Sequence, residues 1–221
     1  TTNRIRIGSA GIMLPHYAAL KVAEQFRVLD ALAPGRIDLG LGRAPGSDGR
    51  TAYALNPNAA QGAEKFPEQV RDLLAWVAGD PLANGHPFGT IRAFPAGDTT
   101  PVMWMLGTSD YGAQVAAHFG IPYCFAHFIT QGQGCAQALD LYRQHYQPSE
   151  RYPEPVATVC VWALTADTEE EAHFQYLSRA RSRLARDRGV LEAIVSPEVV
   201  AEQSFTAAEQ ARIESLRNDA F

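Results

Sequence analysis

Apolar stretches and amphipathic stretches alternate along this chain, and their order predicts the secondary structure. The apolar runs are rich in Ile, Val and Leu, which is typical of buried strands. Between them, apolar residues recur every three or four positions, as in Val22, Phe26 and Leu29, which is typical of helices packed on a core. The predicted strands cover 5–14, 36–42, 101–107, 121–128 and 155–166. The predicted helices cover about 17–35, 66–79, 109–120, 135–147 and 168–185.

The strands are nearly uniform in hydrophobicity, so we expect both of their faces to be covered. A strand–helix unit that repeats in this way predicts an α/β fold with parallel strands and helical crossovers. Two architectures satisfy this pattern, an open doubly wound sheet and a β/α barrel. Periodicity does not choose between them.

Three stretches fall outside the repeating unit. Residues 44–63 are polar and rich in Gly and Ala, which predicts a long loop and a candidate lid or pocket wall. The sequence HPFGTIRAFP, residues 86–95, is a candidate short extra strand. The polar region after Ala185 predicts a loop followed by a terminal helix.

Composition narrows the class of protein. The chain has 221 residues, 46% of them apolar, and a formal net charge of −5, which does not favour nucleic-acid binding. No apolar run approaches the roughly 20 residues of a membrane span, and the first residues do not resemble a signal peptide. The cysteines Cys124, Cys135 and Cys160 lack metal-site spacing, so we expect no metal and a reducing cytoplasm. Cys124 and Cys160 lie in apolar runs, which predicts buried thiols at these two positions.

Candidate chemistry is expected at the carboxyl ends of the strands, where both architectures bind ligands. The sequence LGTSDYGAQ brings Thr108 and Ser109 to the start of a helix, whose free N–H groups and dipole favour an anion such as phosphate. Alternatively, Ser109 is only an N-cap, and Asp110 adds a negative charge that could itself satisfy the helix end.

Arg43 follows the second strand between Gly42 and Gly46, and its guanidinium could bind phosphate oxygens. The alternative is an arginine at the rim that pairs with an acid. Because Arg43 and Ser109 both follow parallel strands, we expect them at the same end of the sheet, which favours a joint anion site.

Other candidates are less specific. His127 at the end of the fourth strand could be an acid/base group, a wall of the substrate pocket, or a half-buried histidine bonded to a neighbour. His16 has the same alternatives. Tyr111 is the aromatic residue placed best to touch a ligand. The basic sequence ARSRLARDR, residues 180–188, predicts a solvated helix face.

Two segments resemble a known family. The sequence IRIGSAGIMLPHYAALKVAEQFRVLDALAPGRIDLGLGRAPG strongly resembles the third-to-fourth strand region of bacterial luciferase-like flavin monooxygenases. The sequence LGTSDYGAQVAAHFGIPYCFAHF is similar to the fifth-to-sixth strand region of the same superfamily. The resemblance covers most of residues 4–185.

This resemblance implies a TIM-type (β/α)8 barrel, of which the chain would hold about strands 3 to 7 and lack the first two and the last. It implies one barrel domain over residues 1–221. It also implies reduced FMN as cofactor, or a deazaflavin as in some branches of the family.

The resemblance further implies roles for individual residues. Arg43 matches the arginine that contacts the flavin phosphate, and Ser109 with the backbone around Tyr111 and Gly112 matches the phosphate loop. Ser9–Ala10 matches the place of a non-prolyl cis peptide beneath the flavin ring. Gly42 falls where a side chain would approach that ring. No catalytic residue is assigned.

The implied function is a two-component monooxygenase that receives reduced FMN from a flavin reductase, oxidises a small organic substrate with O2 and forms a homodimer. One alternative is a deazaflavin-dependent hydride-transfer enzyme on the same barrel. The other is a non-catalytic flavin-binding accessory protein.

Overall fold

Five parallel strands form the sheet of this protein, whose computed structural model describes residues 2–218. The strands are Ile7–Met13 (β1), Ile37–Gly42 (β2), Val102–Gly107 (β3), Tyr123–Phe125 (β4) and Ala157–Val159 (β5). Their order in the sheet is β1-β2-β3-β4-β5, and each neighbouring pair is parallel. The predicted parallel α/β fold is therefore confirmed. A doubly wound sheet reverses its strand order at a switch point, which this sheet does not do. Within the described residues the sheet is open and does not close into a barrel.

Helices connect the strands and continue beyond the last one. They are Ala19–Leu32 (α1), Gly49–Leu55 (α2), Ala59–Glu64 (α3), Phe66–Ala78 (α4), Asp110–His118 (α5), His127–Thr130 (α6), Cys135–His145 (α7), Glu169–Asp187 (α8), Pro197–Ala201 (α9) and Ala207–Asn218 (α10). A short 3₁₀ turn, Leu14–His16, follows β1. All five predicted helices are present, and the predicted terminal helix corresponds to α10. No helix between residues 2 and 218 is long and apolar enough to cross a membrane.

Three predictions of local structure are wrong. Residues 44–63 are not a plain loop, because Asp48 accepts hydrogen bonds from the N–H groups of Arg50 and Thr51 and caps the first of two short helices. Residues 86–95 form turns instead of a strand. The fourth and fifth strands, predicted over 121–128 and 155–166, are each only three residues long, and they pair with each other over those three positions.

The chain divides into two compact units. The first comprises the residues up to Ala126 together with Gly134–Val159, and it contains the sheet. The second comprises His127–Gln133 and the residues from Cys160 onward, including α8, α9 and α10. The single domain over residues 1–221 stays a prediction.

The core of the first unit lies between one face of the sheet and the helices. Ile37, Leu39 and Leu41 of β2 are buried in one cluster with residues of α1 and α4. The opposite face of β2 is less buried at Asp38 and Gly42. In β1, Ile7 is 55% exposed. The expectation that both strand faces are covered is therefore wrong for β1, which is the first strand of the sheet and, among residues 2–218, pairs with β2 alone.

Two buried tyrosines, Tyr123 of β4 and Tyr142 of α7, differ in how their hydroxyls are satisfied. The Tyr142 hydroxyl lies 3.0 Å from the carbonyl oxygen of Ile121, and 3.2 and 3.1 Å from the carbonyl oxygen and N–H of Val156. Burial raises the pKa of Tyr142 to about 12. The Tyr123 hydroxyl is buried without a hydrogen-bond partner, and burial likewise raises its pKa.

A buried arginine orders the connection between α4 and β3, residues 79–101. Arg27 of α1 is 5% exposed, and its guanidinium donates to the carbonyl oxygens of Pro95 and Thr99 at 2.8 and 2.5 Å. Asp30, one turn further along α1, accepts a 2.7 Å hydrogen bond from the Thr99 hydroxyl. Arg27 and Asp30 thus hold the connecting segment, which has no regular secondary structure, against α1.

The second unit has its own small core, in which Tyr176 and Ala180 of α8 pack with Leu216 of α10. Thr168 caps α8 by accepting from the N–H of Glu171 at 3.1 Å, as the sequence predicts. At α10, the Glu209 carboxylate accepts from the N–H and hydroxyl of Thr206. These hydrogen bonds, with one from Arg188, lower the pKa of Glu209 to about 2.

A candidate anion site at the carboxyl ends of the strands

Arg43 and Tyr111 meet at the carboxyl ends of β2 and β3. Arg43 directly follows the last residue of β2, and Tyr111 lies in the first turn of α5, the helix that follows β3. The Cζ atom of Arg43 lies 3.9 Å from the centroid of the Tyr111 ring. Such a stack holds the plane of the guanidinium and leaves the N–H groups on its edge for a ligand.

Arg43 has no carboxylate partner among residues 2–218, so the alternative of a rim arginine paired with an acid is not observed there. The side chain is exposed to solvent. Its charge is therefore available to an incoming anion, although the whole protein carries a net charge of −5.

Ser109 occupies the N-cap position of α5 with an extended backbone, but its side chain makes no capping hydrogen bond. The alternative that this serine serves as a capping group is therefore not observed. Asp110 does not satisfy the helix end either, and its carboxylate instead accepts a 2.7 Å hydrogen bond from the Gln137 side chain. The first N–H groups of α5 have no partners within the helix, and together with the helix dipole they attract an anion.

Glycines at the carboxyl ends of β2 and β3 leave space around the site. A Cβ atom on Gly42 would meet no atom within 4 Å, so the position beside Arg43 is open. Gly107 and Gly112 lie against each other, because a Cβ on either would be 3.5 Å from the Cα of the other. Their contact brings the start of α5 close to the end of β3, where Thr108 forms the connection. The buried hydroxyl of Tyr123 would lie 3.7 Å from a Cβ on Gly107.

Ser9 and Ala10 lie where the pairing between β1 and β2 shifts register. The Ser9 hydroxyl accepts from the N–H of Gly40 at 3.1 Å, and a Cβ on Gly40 would come within 1.8 Å of the Ala10 carbonyl oxygen. The cis peptide expected at Ser9–Ala10 is not present, since Phe94–Pro95 is the cis bond found among the described residues. The irregularity of this strand is a register shift instead.

The segment after Arg43 is held by residues that sequence reasoning did not connect. His16 is 8% exposed, and its Nε2 lies 3.1 Å from the carbonyl oxygen of Pro45. Because a carbonyl only accepts, Nε2 carries the proton. The Asn56 side chain donates to the carbonyl oxygen of Pro15 at 2.9 Å, so α2 and the turn after β1 are joined. Gly42 and Gly46 in the sequence indicated close packing around Arg43, but they did not indicate the contacts of His16 and Asn56.

His127 lies in the second unit, at the start of α6. Its ring is half-buried and packs on Gly132, where a Cβ would approach Nε2 to 2.4 Å. Gly132 has a φ of +76°, which suits this contact because glycine adopts it without strain. A role for His127 in a substrate pocket stays a prediction. No group of three or more possible metal ligands occurs in the part of the chain that the structure describes.

Comparison with known proteins gives consistent matches over nearly the whole chain. Residues 1–217 match the family model described as luciferase-like monooxygenase. The uncharacterized protein YwcH of Bacillus subtilis (strain 168) is 43% identical over 218 residues, which are 98% of this chain and 65% of that protein. A luciferase-like monooxygenase of Escherichia coli (strain K12) is 40% identical over 211 residues, which are 95% of this chain and 61% of that protein. The chain thus spans less than two thirds of the length of these relatives.

Solved structures share the fold. Apo-MsnO8 matches with a TM-score of 0.75 at 30% identity, over 98% of this chain and 69% of that one. The oxygenating constituent of 3,6-diketocamphane monooxygenase of Pseudomonas putida, in complex with FMN, matches with a TM-score of 0.50 at 16% identity, over 98% and 70%. An F420-dependent secondary alcohol dehydrogenase in complex with an F420–acetone adduct matches with a TM-score of 0.54 at 14% identity, over 100% and 73%. At these two lower identities the likeness concerns the fold alone.

Proposed function

The chain belongs to the luciferase-like monooxygenase family, and we propose that it binds reduced FMN and uses O2 to oxidise a small organic substrate. The resemblance drawn from the sequence is confirmed by the family match. We further propose that the five strands are a sector of a TIM-type (β/α)8 barrel. The sequential strand order supports this, because barrel strands follow one another in chain order.

The observation that carries the proposal is the stack of Arg43 on Tyr111 beside the start of α5. A flavin phosphate is a compact anion, and a guanidinium together with helix N–H groups is a recurrent binding arrangement for such a group. Ser109 adds a hydroxyl that makes no capping hydrogen bond. These groups converge on one edge of the sheet, where a phosphate would meet them together.

The surroundings also fit a flavin ring. The open space at Gly42 leaves room next to Arg43 for a planar group. The Ser9–Ala10 segment lies on the neighbouring strand β1, at the register shift between β1 and β2. The reduced ring supplies the electrons that activate O2, whereas the protein binds the cofactor, orients it and limits the access of water.

A separate flavin reductase is proposed as the source of reduced FMN. Support comes from the exposure of Arg43, because a cofactor held at an exposed position can exchange with solution. The segment 44–63 is proposed as a wall of the substrate pocket, since it begins directly after Arg43 and is hydrogen-bonded to the turn after β1 through Asn56 at the end of α2. The homodimer and the cytoplasmic location stay predictions.

Anaerobic titration with reduced FMN, reduced F420 and reduced riboflavin tests the cofactor. Quenching by FMN that saturates at one equivalent, with no response to F420, supports the proposal. The reverse result replaces it with a deazaflavin-dependent enzyme.

Isotope labelling tests the reaction. The protein is supplied with reduced FMN, ¹⁸O2 and a mixture of small sulfides, ketones and aldehydes, and the products are analysed by mass spectrometry. Incorporation of one labelled oxygen atom that requires the protein supports monooxygenation. Tight FMN binding without any labelled product identifies a flavin-binding accessory protein instead.

A further inference from the structure

A cavity of about 240 Å³ lies in the second unit, between one face of α8 and two aromatic side chains. Arg179, Arg183 and Arg186 line it from the helix. Their spacing of four and three residues puts them on one side of α8. Trp162, Phe128 and Ile129 form the apolar part of the wall.

The acidic residue in this wall is already neutralised. Asp187 accepts from Nε of Arg183 at 3.0 Å with one carboxylate oxygen and from Nε of Arg212 at 2.9 Å with the other. Arg183 is also held in place, because its two terminal nitrogens donate to the carbonyl oxygen of Ile129 at 3.3 Å. Because the Asp187 carboxylate is paired with Arg183 and Arg212, it does not compensate the positive charge of the other arginines in the cavity wall.

Arg179 and Arg186 supply that remaining charge. The Cζ atom of Arg179 lies 4.4 Å from the centroid of the Trp162 ring, which fixes the guanidinium at the cavity wall. Burial lowers the pKa of Arg179, and the charges of Arg183 and Arg186 lower it further. Within residues 2–218, neither Arg179 nor Arg186 pairs with a carboxylate. Like charges one turn apart destabilise a helix, so a bound anion would relieve this repulsion.

The basic sequence 180–188 thus divides into two sets of arginines. Arg181 and Arg188 pair with Glu192 and Glu209. Arg183 and Arg186 instead line the cavity, where Arg186 is exposed to solvent and Arg183 is partly buried. A solvated helix face would account for the exposure of Arg186, but not for its position with Arg179 and Arg183 in the wall of one cavity.

We propose that this cavity binds a small organic anion, whose charged group lies on Arg179 and Arg186 and whose apolar body packs on Trp162 and Phe128. The volume is below the range of about 300–1,000 Å³ that is usual for sites of drug-sized ligands. It therefore suits a compact body such as a single aromatic ring with a carboxylate. The site belongs to the second unit alone and does not depend on the proposed flavin chemistry.

Calorimetric titration of the whole chain with benzoate, benzamide and sulfate tests the site. Benzamide has nearly the shape of benzoate without its charge, and sulfate has the charge without the ring. Benzoate binds at one equivalent, and each neutral or ring-free probe binds at least about tenfold more weakly, where tenfold corresponds to about 1.4 kcal/mol. Added NaCl weakens the binding of benzoate and leaves that of benzamide unchanged.

Matched variants locate the binding. Arg179→Gln and Arg186→Gln each weaken benzoate at least about tenfold, because each removes a charge-assisted hydrogen bond. Arg217→Gln removes the same charge from α10 at a position outside the cavity wall and leaves benzoate binding unchanged. Circular dichroism confirms that the variants keep their helix content.

Three results overturn the proposal. Equal affinity for benzoate and benzamide would show that the cavity binds the ring and does not recognise the charge. Equal binding of sulfate and benzoate reduces it to a charged surface without a place for the ring. Benzoate binding that survives both cavity substitutions puts the ligand elsewhere on the protein.

Discussion

Substitution of Arg43 by alanine tests the proposed phosphate site most directly. The change removes a guanidinium that lies 3.9 Å from the Tyr111 ring and pairs with no carboxylate among residues 2–218. Since no buried partner is left unsatisfied, the loss falls mainly on the binding of the ligand and only to a small extent on the stability of the fold.

The expected magnitude follows from the contacts. A hydrogen bond to a charged group contributes about 1.5–3 kcal/mol, so the dissociation constant of FMN should rise by about 10- to 150-fold. Loss of the stack on Tyr111 adds a stability cost of about 0.5–1 kcal/mol. Arg43→Lys keeps the charge but loses the forked geometry, and it should fall between the wild type and Arg43→Ala.

The assay compares FMN with riboflavin, which has the same ring and no phosphate. Flavin fluorescence is titrated with the wild type, Arg43→Ala and the control Arg143→Ala, which removes an exposed charge from α7. Arg43→Ala should weaken the binding of FMN and leave that of riboflavin unchanged, so that the preference for FMN over riboflavin disappears. Arg143→Ala should retain that preference.

Two results refute this reasoning. If riboflavin weakens as much as FMN, Arg43 acts on the ring or on the fold. If neither ligand changes, the phosphate does not lie at Arg43, and the start of α5 loses its proposed partner.

Three further predictions concern stability. Gly40→Ala should lower the free energy of unfolding by about 1–3 kcal/mol or more, because its Cβ would overlap a backbone oxygen at 1.8 Å, whereas Gly42→Ala should change it by less than about 1 kcal/mol in urea denaturation. Tyr142→Phe should lower the free energy of unfolding by about 1–3 kcal/mol, because buried backbone groups lose their hydrogen-bond partner. Tyr123→Phe removes a hydroxyl without a partner, so in the same assay it should leave the free energy of unfolding unchanged or raise it. The folded-state pKa of Glu209 is about 2, below its ordinary 4.5, so its contribution to stability should be complete above pH 4.5 and disappear as the pH falls towards 2. Unfolding curves of wild type and Glu209→Gln should therefore converge at low pH, and a constant separation contradicts the assignment.

Much of the first unit was predictable because its signals are local. The apolar runs and the three-to-four residue spacing locate the strands and the main helices. Parallel strands end at one edge, so the positions of Arg43 and Ser109 in the sequence were enough to expect both at that edge. The family resemblance then predicted that FMN binds at the carboxyl ends of these strands.

The remaining features depend on partners distant in sequence. No local pattern links Arg43 to Tyr111, or His16 to Pro45, because each pair forms only when separate loops fold against each other. The short helices in 44–63 were missed because Gly and Asn obscure a helical pattern that the Asp48 cap completes. The cavity on α8 likewise needs Trp162, which precedes the helix as part of an apolar run that predicted a strand.

The buried guanidinium of Arg27 has a consequence for how the protein is digested. It ties the carbonyl groups of Pro95 and Thr99 to α1, close to the exposed side chain of Arg92. A protease cleaves a backbone segment that can move freely into its active site. The hydrogen bonds from Arg27 restrict this segment, so we expect slow cleavage by trypsin although the side chain of Arg92 is accessible. Resistance to nicking after Arg92 therefore reports on the integrity of a helix elsewhere in the chain.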